Sequence, residues 1–306
     1  MNKVIVAIVQ TGPIYLDKIA SLEKAKKILT EAGEKGCNLV VFGESWFSGY
    51  PAWLDFCPNM ALWDHPATKQ VFARMLQNSI SVPGPETDVF SEMAAKYGYA
   101  VVLGCNERVN GTIYNTALIF DESGKLAMHH RKLMPTYTEK LVYGMGDGHG
   151  LGSVETSFGK LSACICWEHF MPLTRQALHD AGEDIHVALW PNVHEMLQVA
   201  SRHYAFEGRC FTIAAGQMLH RKQLPSELDE PNTDREWLLR GGSAIYAPDG
   251  AVELAPIYEC DEVIYHTITD LDQALGERMT LDVSGHYNRR DVFDFEVCRE
   301  RHNRNK

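Results

Sequence analysis

Apolar and polar positions along this chain follow two different periods. A short apolar run, VIVAIVQ, is followed by the helical pattern SLEKAKKILTEAGEKG and by a second apolar run, NLVVFGE. Short apolar runs of this kind are typical of strands, whereas apolar spacings of three and four residues are typical of a helix with one buried face. The helical spacing is carried by Leu22, Ala25, Ile28, Leu29 and Ala32. The start of the chain therefore predicts an α/β arrangement in which a helix covers a sheet.

The middle of the chain predicts more strands behind two further helices. Helical patterns near residues 66 to 80 and 86 to 97 precede the strand-like segments YAVVLGCNERV, IYNTALIFDES and KLAMHHRK. The turn pairs Asn110-Gly111 and Ser123-Gly124 separate these segments. Tight turns between consecutive strands predict an antiparallel meander.

The second half repeats the first in outline. Strand-like GSVETSF, KLSACICWE, IHVALWP and CFTIAAGQ are separated by helical patterns from about Leu173 to Ala181 and from about Glu195 to Glu207. GGSAIYAPDG, AVELAPI and CDEVIYHTITD then predict a second run of hairpin-like strands. Two similar sets of strands, with no Gly-, Ser- or Pro-rich linker between them, predict one domain of two packed sheets with helices outside, over residues 1–280. Residues 281–306 are predicted to form a C-terminal arm.

Composition narrows the class of protein. Across 306 residues, 29 basic and 40 acidic side chains give a formal charge of -11, which disfavours a general polyanion binder and an anionic membrane surface. A small or neutral substrate fits this charge better. Eight cysteines are scattered along the chain, and the N-terminal segment lacks the pattern of a secretory signal. We therefore expect reduced thiols and a cytoplasmic protein, with neither nucleic acid nor membrane as a partner.

Three reactive side chains stand where predicted strands end. Glu44 ends NLVVFGE, Lys132 ends KLAMHHRK, and Cys166 follows the apolar part of KLSACICWE. An acid, an amine and a thiol are the parts of an activated-thiol hydrolase. Taken singly, each residue has a simpler interpretation: Cys166 as a small buried hydrophobe, and Glu44 and Lys132 as solvated surface charges. Only their convergence would indicate catalysis.

The chemistry of such a group is specific. A Lys132 ammonium near Cys166 would lower the pKa of the thiol and would face the negative charge that develops on an attacked substrate. The backbone N–H of Trp167 could join it, and Glu44 could accept the thiol proton and later activate water. A zinc site built from Cys164, Cys166 and His169 is disfavoured because a second, separated ligand pair is missing. Strand alternation predicts that Cys164 and Cys166 share one face. We expect His169 to be a hydrogen-bonded structural residue, with substrate binding or orientation of Glu168 as the alternatives.

Segments spanning nearly the whole chain resemble the nitrilase superfamily of carbon–nitrogen hydrolases. The three catalytic motifs of that family are similar to GESWFSGYP, HHRKLMPTYTEK and CICWEH, and NERVNGTIYNTALIFDESGKL, VYGMGDG and SGHYNRRDVF extend the likeness. The resemblance implies that Glu44 is the general base, Lys132 the cationic stabiliser and Cys166 the nucleophile. It implies a second, supporting carboxylate at Glu139.

The resemblance also implies an architecture and a reaction. The expected fold is a four-layer αββα sandwich of two mixed sheets with helices on the outside, in a homodimer or a larger homo-oligomer. CWEH, GMGDG and GHYNRRDV resemble the nitrilase branch rather than the amidase branches. The expected reaction converts an organic nitrile to a carboxylic acid and ammonia through a thioimidate and a thioester, without a cofactor or metal. An amidase or carbamoylase, a cyanide-degrading enzyme and a non-catalytic assembly protein on the same fold remain alternatives.

Aromatic side chains near the motif ends are candidates for a substrate pocket, because apolar and aromatic walls are common around small ligands. They are Trp53, Tyr143, Trp167, Phe170 and Trp190, for each of which core packing is an equally good interpretation. The resemblance favours Tyr143, Phe170 and Pro191 as pocket residues, and Trp167 is a further substrate-binding candidate.

Overall fold

Two β-sheets pack face to face in the structure, a computed structural model that describes residues 3–301. The strands are β1 (Val4–Val9), β2 (Leu39–Phe42), β3 (Ala100–Val109), β4 (Thr112–Phe120), β5 (Leu126–Arg131), β6 (Val154–Thr156), β7 (Gly159–Ile165), β8 (Ile185–Leu189), β9 (Phe211–Ala215), β10 (Met218–His220), β11 (Trp237–Tyr246), β12 (Val252–Tyr258) and β13 (Val263–Ile268). The α-helices are α1 (Lys18–Glu34), α2 (Trp53–Phe56), α3 (Pro66–Asn78), α4 (Pro85–Tyr97), α5 (Pro172–Ala181), α6 (Glu195–Gly208) and α7 (Gln273–Glu277). Short 3-10 helices cover Tyr137–Leu141, Gly148–Gly150, Cys166–Phe170 and Arg221–Gln223.

Both sheets are mixed. The first has the order β13-β1-β2-β3-β4-β5, and the second has the order β10-β11-β9-β8-β7-β6, with β12 paired to β11. In the first sheet β1, β2 and β3 are parallel and β3, β4 and β5 form an antiparallel meander, as predicted. In the second sheet β7, β8 and β9 are parallel.

Strand alternation separates the two faces of each sheet. Val6 and Val41 point between the sheets and share one apolar cluster with Val187 of the second sheet. Their neighbours Ala7 and Val40 point the other way, into a cluster with side chains of α1 and α4. On the outer side of the second sheet, α5 and α6 contribute Leu178 and Tyr204 to a cluster with Cys164. The predicted four-layer αββα sandwich is therefore confirmed.

One strand pairing differs from the sequence prediction. The last of the three hairpin-like strands, β13, does not join β12 but pairs antiparallel with β1 in the other sheet, where Val4 lies opposite Ile268. The pairing places Ile264 and Ile268 in the apolar layer between the sheets and covers what would be an exposed edge of β1. A period of two specifies a strand but not its partner.

The C-terminal part of the described chain, residues 278–301, contains neither helix nor strand. It contacts the body of the protein through Arg301, which donates a hydrogen bond to the His129 carbonyl at 2.6 Å. The division into a domain over 1–280 and an arm over 281–306 stays a prediction, and its residues 1, 2 and 302–306 lie outside the described range. Within that range, no helix is long and apolar enough to cross a bilayer.

Candidate active site

The ends of three strands bring the predicted acid, amine and thiol together. Glu44 lies two residues after β2, Lys132 directly after β5 and Cys166 directly after β7. Because β2 and β5 run in the same direction, their carboxyl ends lie at one edge of the first sheet. All three side chains are buried, so their charges interact with little screening by solvent.

The Lys132 ammonium is held between two carboxylates. Its Nζ lies 2.8 Å from Glu44 Oε1 and 3.0 Å and 2.7 Å from the two oxygens of Glu139. Burial alone would lower the pKa of Lys132, but Cys166 and the carboxylates of Glu44 and Glu139 raise it well above its ordinary value. Lys132 is therefore a fixed positive charge inside the site.

Glu139 is fixed by contacts of its own. It lies in the 3-10 helix Tyr137–Leu141, whose preceding residue Thr136 donates its backbone N–H to Glu139 Oε2 at 2.9 Å. The Tyr50 hydroxyl donates to Oε1 at 3.0 Å. Both carboxylate oxygens thus have donors besides Lys132. Tyr50 belongs to the GESWFSGYP segment, but nothing in that sequence pattern predicts its hydrogen bond to Glu139.

Glu44 is only partly satisfied. Its Oε1 accepts hydrogen bonds from Lys132 and from Asn115 Nδ2, the latter at 2.7 Å, whereas its buried Oε2 has no hydrogen-bond partner within residues 3–301. Burial raises the pKa of Glu44 to about 7, although Lys132 opposes this. Oε2 can therefore accept and release a proton near neutral pH. Asn115, which orients the Glu44 carboxylate, was not predicted from the sequence.

Cys166 occupies a strained turn beside these groups. Its φ of 52° lies in the left-handed region, which is uncommon for a residue with a side chain and recurs at functional sites. Ligand atoms of Cys166, Glu44 and Glu139 lie within 4.8 Å of one another. Burial and then Glu44 raise the pKa of the thiol well above its ordinary value, and Lys132 counters them only in part. Lys132 therefore lowers the pKa of the thiol as predicted, but burial and Glu44 outweigh it, and the resting sulfur is a thiol.

The turn at Cys166 also corrects the predicted geometry of the two cysteines. Cys164 points outward into the cluster beneath α5 and α6, whereas Cys166 belongs to the layer between the sheets. The expectation of a shared face fails because β7 ends at Ile165, and the left-handed backbone then reverses the direction of the next side chain. The two sulfurs therefore have different surroundings.

Glu168 supports the site from behind. Its carboxylate accepts hydrogen bonds from the backbone N–H groups of Ile165 and Leu133, both at 2.8 Å, and lies 3.0 Å from His130 Nε2. Burial raises the pKa of Glu168, but His130 and the two N–H groups outweigh this and bring it to about 2. Glu168 thus joins the end of β7 to the chain beside Lys132. His169 does not orient it, because His169 Nδ1 lies 2.6 Å from the Cys166 carbonyl.

Two groups of potential metal ligands lie in this region, and in each of them a carboxylate already binds other donors. The group formed by Glu44, Glu139 and Cys166 surrounds the Lys132 ammonium, which stands where a cation would bind. The group formed by His130, Cys164 and Glu168 has its carboxylate occupied by backbone donors.

The aromatic candidates divide into exposed and buried residues. Trp167 is 53% exposed and Phe170 is 40% exposed, and their ring centroids lie 5.3 Å apart. Tyr143 is buried, donates its hydroxyl to Asn106 Oδ1 at 2.6 Å and lies 3.1 Å from Ser45 Oγ. This places Tyr143 beside the residue that follows Glu44.

Three further candidates are buried. Trp53 and Trp190 are completely inaccessible and Pro191 is buried as well, with Glu44 donating its backbone N–H to the Trp190 carbonyl at 3.3 Å. Core packing therefore describes Trp53 and Trp190. The substrate-binding roles of Trp167, Tyr143, Phe170 and Pro191 stay predictions.

Comparison with known proteins gives one consistent result. A family model described as carbon–nitrogen hydrolase matches residues 5–274. An aliphatic nitrilase of Sinorhizobium fredii is 38% identical over 98% of this chain and 97% of its own length. A bifunctional nitrilase/nitrile hydratase of Lupinus angustifolius is 37% identical over 95% of this chain and 84% of its own. The crystal structure of a carbon–nitrogen hydrolase from Helicobacter pylori superposes with a TM-score of 0.71 at 20% identity, over 95% of this chain and 97% of the other.

Proposed function

This chain belongs to the nitrilase superfamily of carbon–nitrogen hydrolases, in its nitrilase branch, and we propose that it hydrolyses an organic nitrile to the carboxylic acid and ammonia. The observation that carries the proposal is the Glu44 carboxylate beside the Cys166 thiol: one of its oxygens accepts from a buried ammonium, and the other has no hydrogen-bond partner within residues 3–301. A base, a nucleophile and an electrostatic stabiliser are thereby available around one reacting carbon.

In the first step Glu44 accepts the proton of the Cys166 thiol, and the sulfur forms a bond to the nitrile carbon. One π pair of the C≡N bond moves to nitrogen, and protonated Glu44 gives that nitrogen the proton taken from sulfur, which forms the thioimidate and leaves Glu44 ionised again. The Lys132 ammonium and the Trp167 N–H stabilise the negative charge on that nitrogen. Because burial raises the pKa of Glu44 to about 7, this carboxylate is a far better base for a thiol than an exposed glutamate.

In the second half of the reaction Glu44 activates water. Water adds to the thioimidate carbon, ammonia leaves, and a thioester remains on Cys166. A second water then cleaves the C–S bond, and the sulfur recovers its proton as the acid departs. Two waters are consumed for each nitrile, and no electron acceptor is needed. Glu139 keeps Lys132 charged and in place through both halves, since it contributes two of the three hydrogen bonds of the ammonium.

The proposal is tested by ammonia release and protein mass on a panel of aliphatic, aromatic and arylacetic nitriles. We expect ammonia and acid in equal amounts, with a substrate-derived adduct on the peptide that contains Cys166. Cys166→Ala abolishes both signals. The matched control is Cys164→Ala, which removes a buried thiol two positions earlier that faces Glu168 rather than Glu44; it keeps the adduct and the turnover. Full activity in Cys166→Ala refutes the mechanism.

The same assay, extended to amides, carbamoyl compounds and cyanide, separates the alternatives. An amidase or carbamoylase releases ammonia from amides or carbamoyl compounds and not from nitriles, and a cyanide-degrading enzyme acts on cyanide alone. A non-catalytic assembly protein forms no adduct with any of them. A stable amide product instead of acid would mean that the tetrahedral intermediate expels the sulfur before it expels ammonia.

We also propose a homodimer or a larger homo-oligomer. Large apolar side chains on neighbouring elements beside the nucleophile are exposed: Trp167, Leu173, Met196 and Val199. Exposed apolar clusters of this kind commonly mark protein interfaces. Light scattering should give at least twice the 34.4 kDa chain mass, and Leu173→Glu with Val199→Glu should reduce it to one chain. A cytoplasmic location accords with eight cysteines that are all free thiols.

A further inference from the structure

A buried chain of hydrogen bonds begins at the carbonyl of the nucleophile. His169 Nδ1 lies 2.6 Å from the Cys166 oxygen. Because a carbonyl oxygen can only accept, this nitrogen must carry a proton. The same peptide group that ends in the Cys166 oxygen also carries the Trp167 N–H, which the proposed mechanism directs at the substrate nitrogen.

The chain continues into a second histidine and a carboxylate. His169 Nε2 lies 2.9 Å from His186 Nε2, a contact that requires one proton between two ring nitrogens. On its other side, His186 Nδ1 lies 2.9 Å from Glu183 Oε2. All three side chains are buried, so solvent cannot substitute for a missing proton.

Glu183 is an acceptor in all of its contacts. The Tyr204 hydroxyl and His179 Nδ1 lie 2.6 Å and 2.9 Å from its Oε1, and the Ser162 hydroxyl contacts its Oε2. Burial would raise the pKa of Glu183, but His186 and His179 lower it far below the ordinary range, so the carboxylate is ionised. The Ser162 hydroxyl lies 2.7 Å from His186 Nδ1 as well, and it can donate its proton to that nitrogen.

The rings of His169 and His186 are both neutral at pH 7. Burial lowers the pKa of both, to about 3 for His169. Burial would also lower the pKa of His179, but hydrogen bonds to Glu183 and Glu207 raise it to about 9, so His179 is the counter-ion of Glu183. One proton on each ring satisfies the chain: His169 donates from Nδ1 to the Cys166 carbonyl, and His169 Nε2 accepts the Nε2 proton of His186.

We propose that His169 and His186 are positioning residues that hold the left-handed turn of Cys166 and polarise the Cys166–Trp167 peptide toward the reacting substrate. This inference rests on the proposed function. A donor at a carbonyl oxygen strengthens the N–H of the same peptide group, since hydrogen bonds in a chain polarise one another in a low dielectric. His186 supports this donor by fixing the tautomer and the orientation of the His169 ring through the Nε2···Nε2 contact.

Aromatic rings pack against the pair, and charged groups lie around Glu183. The Trp190 ring lies 4.9 Å from the His169 ring, and the Tyr204 ring stacks on His186 at 3.8 Å between centroids. The titratable and charged groups that face the pair or Glu183 from the packed elements are Glu168, Arg175, His179, Tyr204 and Arg278. Of these, His179 contacts the far oxygen of Glu183 and has no contact with either ring nitrogen of the pair, which makes it a control.

The proton assignment is tested on the unmodified protein by nitrogen-15 NMR of ring-labelled histidines. The pair is identified by the scalar coupling across its Nε2···Nε2 hydrogen bond. We expect Nδ1 of His169 and Nε2 of His186 to show the shifts of protonated nitrogens at pH 7, with His169 Nε2 as the acceptor. A His169 ring without a proton on Nδ1 overturns the assignment. This measurement needs no nitrile, so it stands apart from any failure of the proposed function.

The positioning role is tested by steady-state kinetics on His186→Gln with His179→Gln as the matched control. An oxyanion donor is worth about 10²- to 10³-fold in kcat, and weakening one through its peptide should cost about tenfold. We expect His186→Gln to lose that factor in kcat with KM within about twofold, and to lose the same factor in affinity for an aldehyde analogue, whose thiohemiacetal with Cys166 mimics the attacked substrate.

Two variants separate the role from simple structural support. His169→Asn keeps an N–H donor for the Cys166 carbonyl and should match His186→Gln, whereas His169→Leu should be worse than either. His179→Gln loses a contact to the same Glu183 and should keep kcat within about twofold. Equal losses in His179→Gln and His186→Gln, or a rise in KM with kcat unchanged, overturn the role. If His186→Gln does not fold, His169→Asn decides by the same readouts.

Discussion

Replacing Glu44 with Gln should abolish activity and yet make the fold more stable at alkaline pH. The pKa of this buried carboxyl is about 7, against 4.5 for an ordinary glutamate. Between those values the folded chain binds more protons than the unfolded chain, so stability falls as pH rises. At about 1.4 kcal/mol for each pKa unit, ionised Glu44 costs the native state about 3 kcal/mol above pH 7 and nothing below pH 4.5.

The assay is urea denaturation of the wild type and of Glu44→Gln at half-unit steps from pH 4.5 to 8. Titrations common to both proteins cancel in the difference between their unfolding free energies. We expect that difference to move in favour of the variant by about 3 kcal/mol across the range, with the change spread almost evenly between about pH 5 and 7. A difference that does not change with pH, or one that moves in favour of the wild type, would show that folding does not raise the pKa of Glu44.

Glu168→Gln supplies the opposite case in a neighbouring, equally buried carboxyl. The pKa of Glu168 is about 2, so its ionised form stabilises the fold, and both folded and unfolded chains have lost that proton by pH 6. This variant should be destabilised by about 3 kcal/mol at every pH from 6 to 8. A constant offset for Glu168→Gln beside a sloping one for Glu44→Gln would assign the slope to the candidate base itself.

Three further changes examine the charges around the site. Glu139→Gln removes one of the causes that raise the pKa of Glu44, so the acid limb of kcat/KM should move to lower pH, which a pH–rate profile detects. Lys132→Met leaves two buried carboxylates without their cation and should cost about 3 to 5 kcal/mol in urea denaturation, besides abolishing turnover. Tyr50→Phe removes one neutral donor from Glu139, so the free energy of unfolding should fall by only about 1 kcal/mol. An equal loss of stability in Tyr50→Phe and Lys132→Met would contradict the view that the charge of Lys132 stabilises the two carboxylates.

Most elements of the fold could be predicted because their signals are local. The helix expected from about Leu173 to Ala181 begins at Pro172 and ends at Ala181, since proline favours the first turn and Gly182 adopts the left-handed conformation that ends it. The meander of β3, β4 and β5 was likewise predicted from two short turns.

What failed depends on contacts between distant segments. The partner of β13 is β1, more than 250 residues earlier, and no local period encodes that choice. The opposed directions of Cys164 and Cys166 depend on where β7 ends, and a strand pattern continues past that point in CICWE. Tertiary packing decides both.

The candidate site was predicted in part for the same reason. Glu44, Lys132 and Cys166 could be singled out as reactive types at strand ends, but their convergence followed only from resemblance to a family. Asn115 and Tyr50 carry no chemistry of their own, and they matter because they orient Glu44 and Glu139. A residue that acts by orienting another side chain has no sequence signature, because its role depends on the distance between the two side chains in the folded protein.

The charges of Glu44, Lys132, Cys166 and Glu139 depend on one another. At rest the site holds one ammonium on Lys132, one carboxylate on Glu139, and one proton that Glu44 and Cys166 compete for. When that proton moves from sulfur to Glu44, Glu44 no longer needs the ammonium as a counter-ion, while Glu139 still holds it through two hydrogen bonds. The same transfer that creates the nucleophile therefore turns part of the Lys132 charge toward the substrate nitrogen. A site with only one carboxylate would have to choose between a charged lysine and an available base.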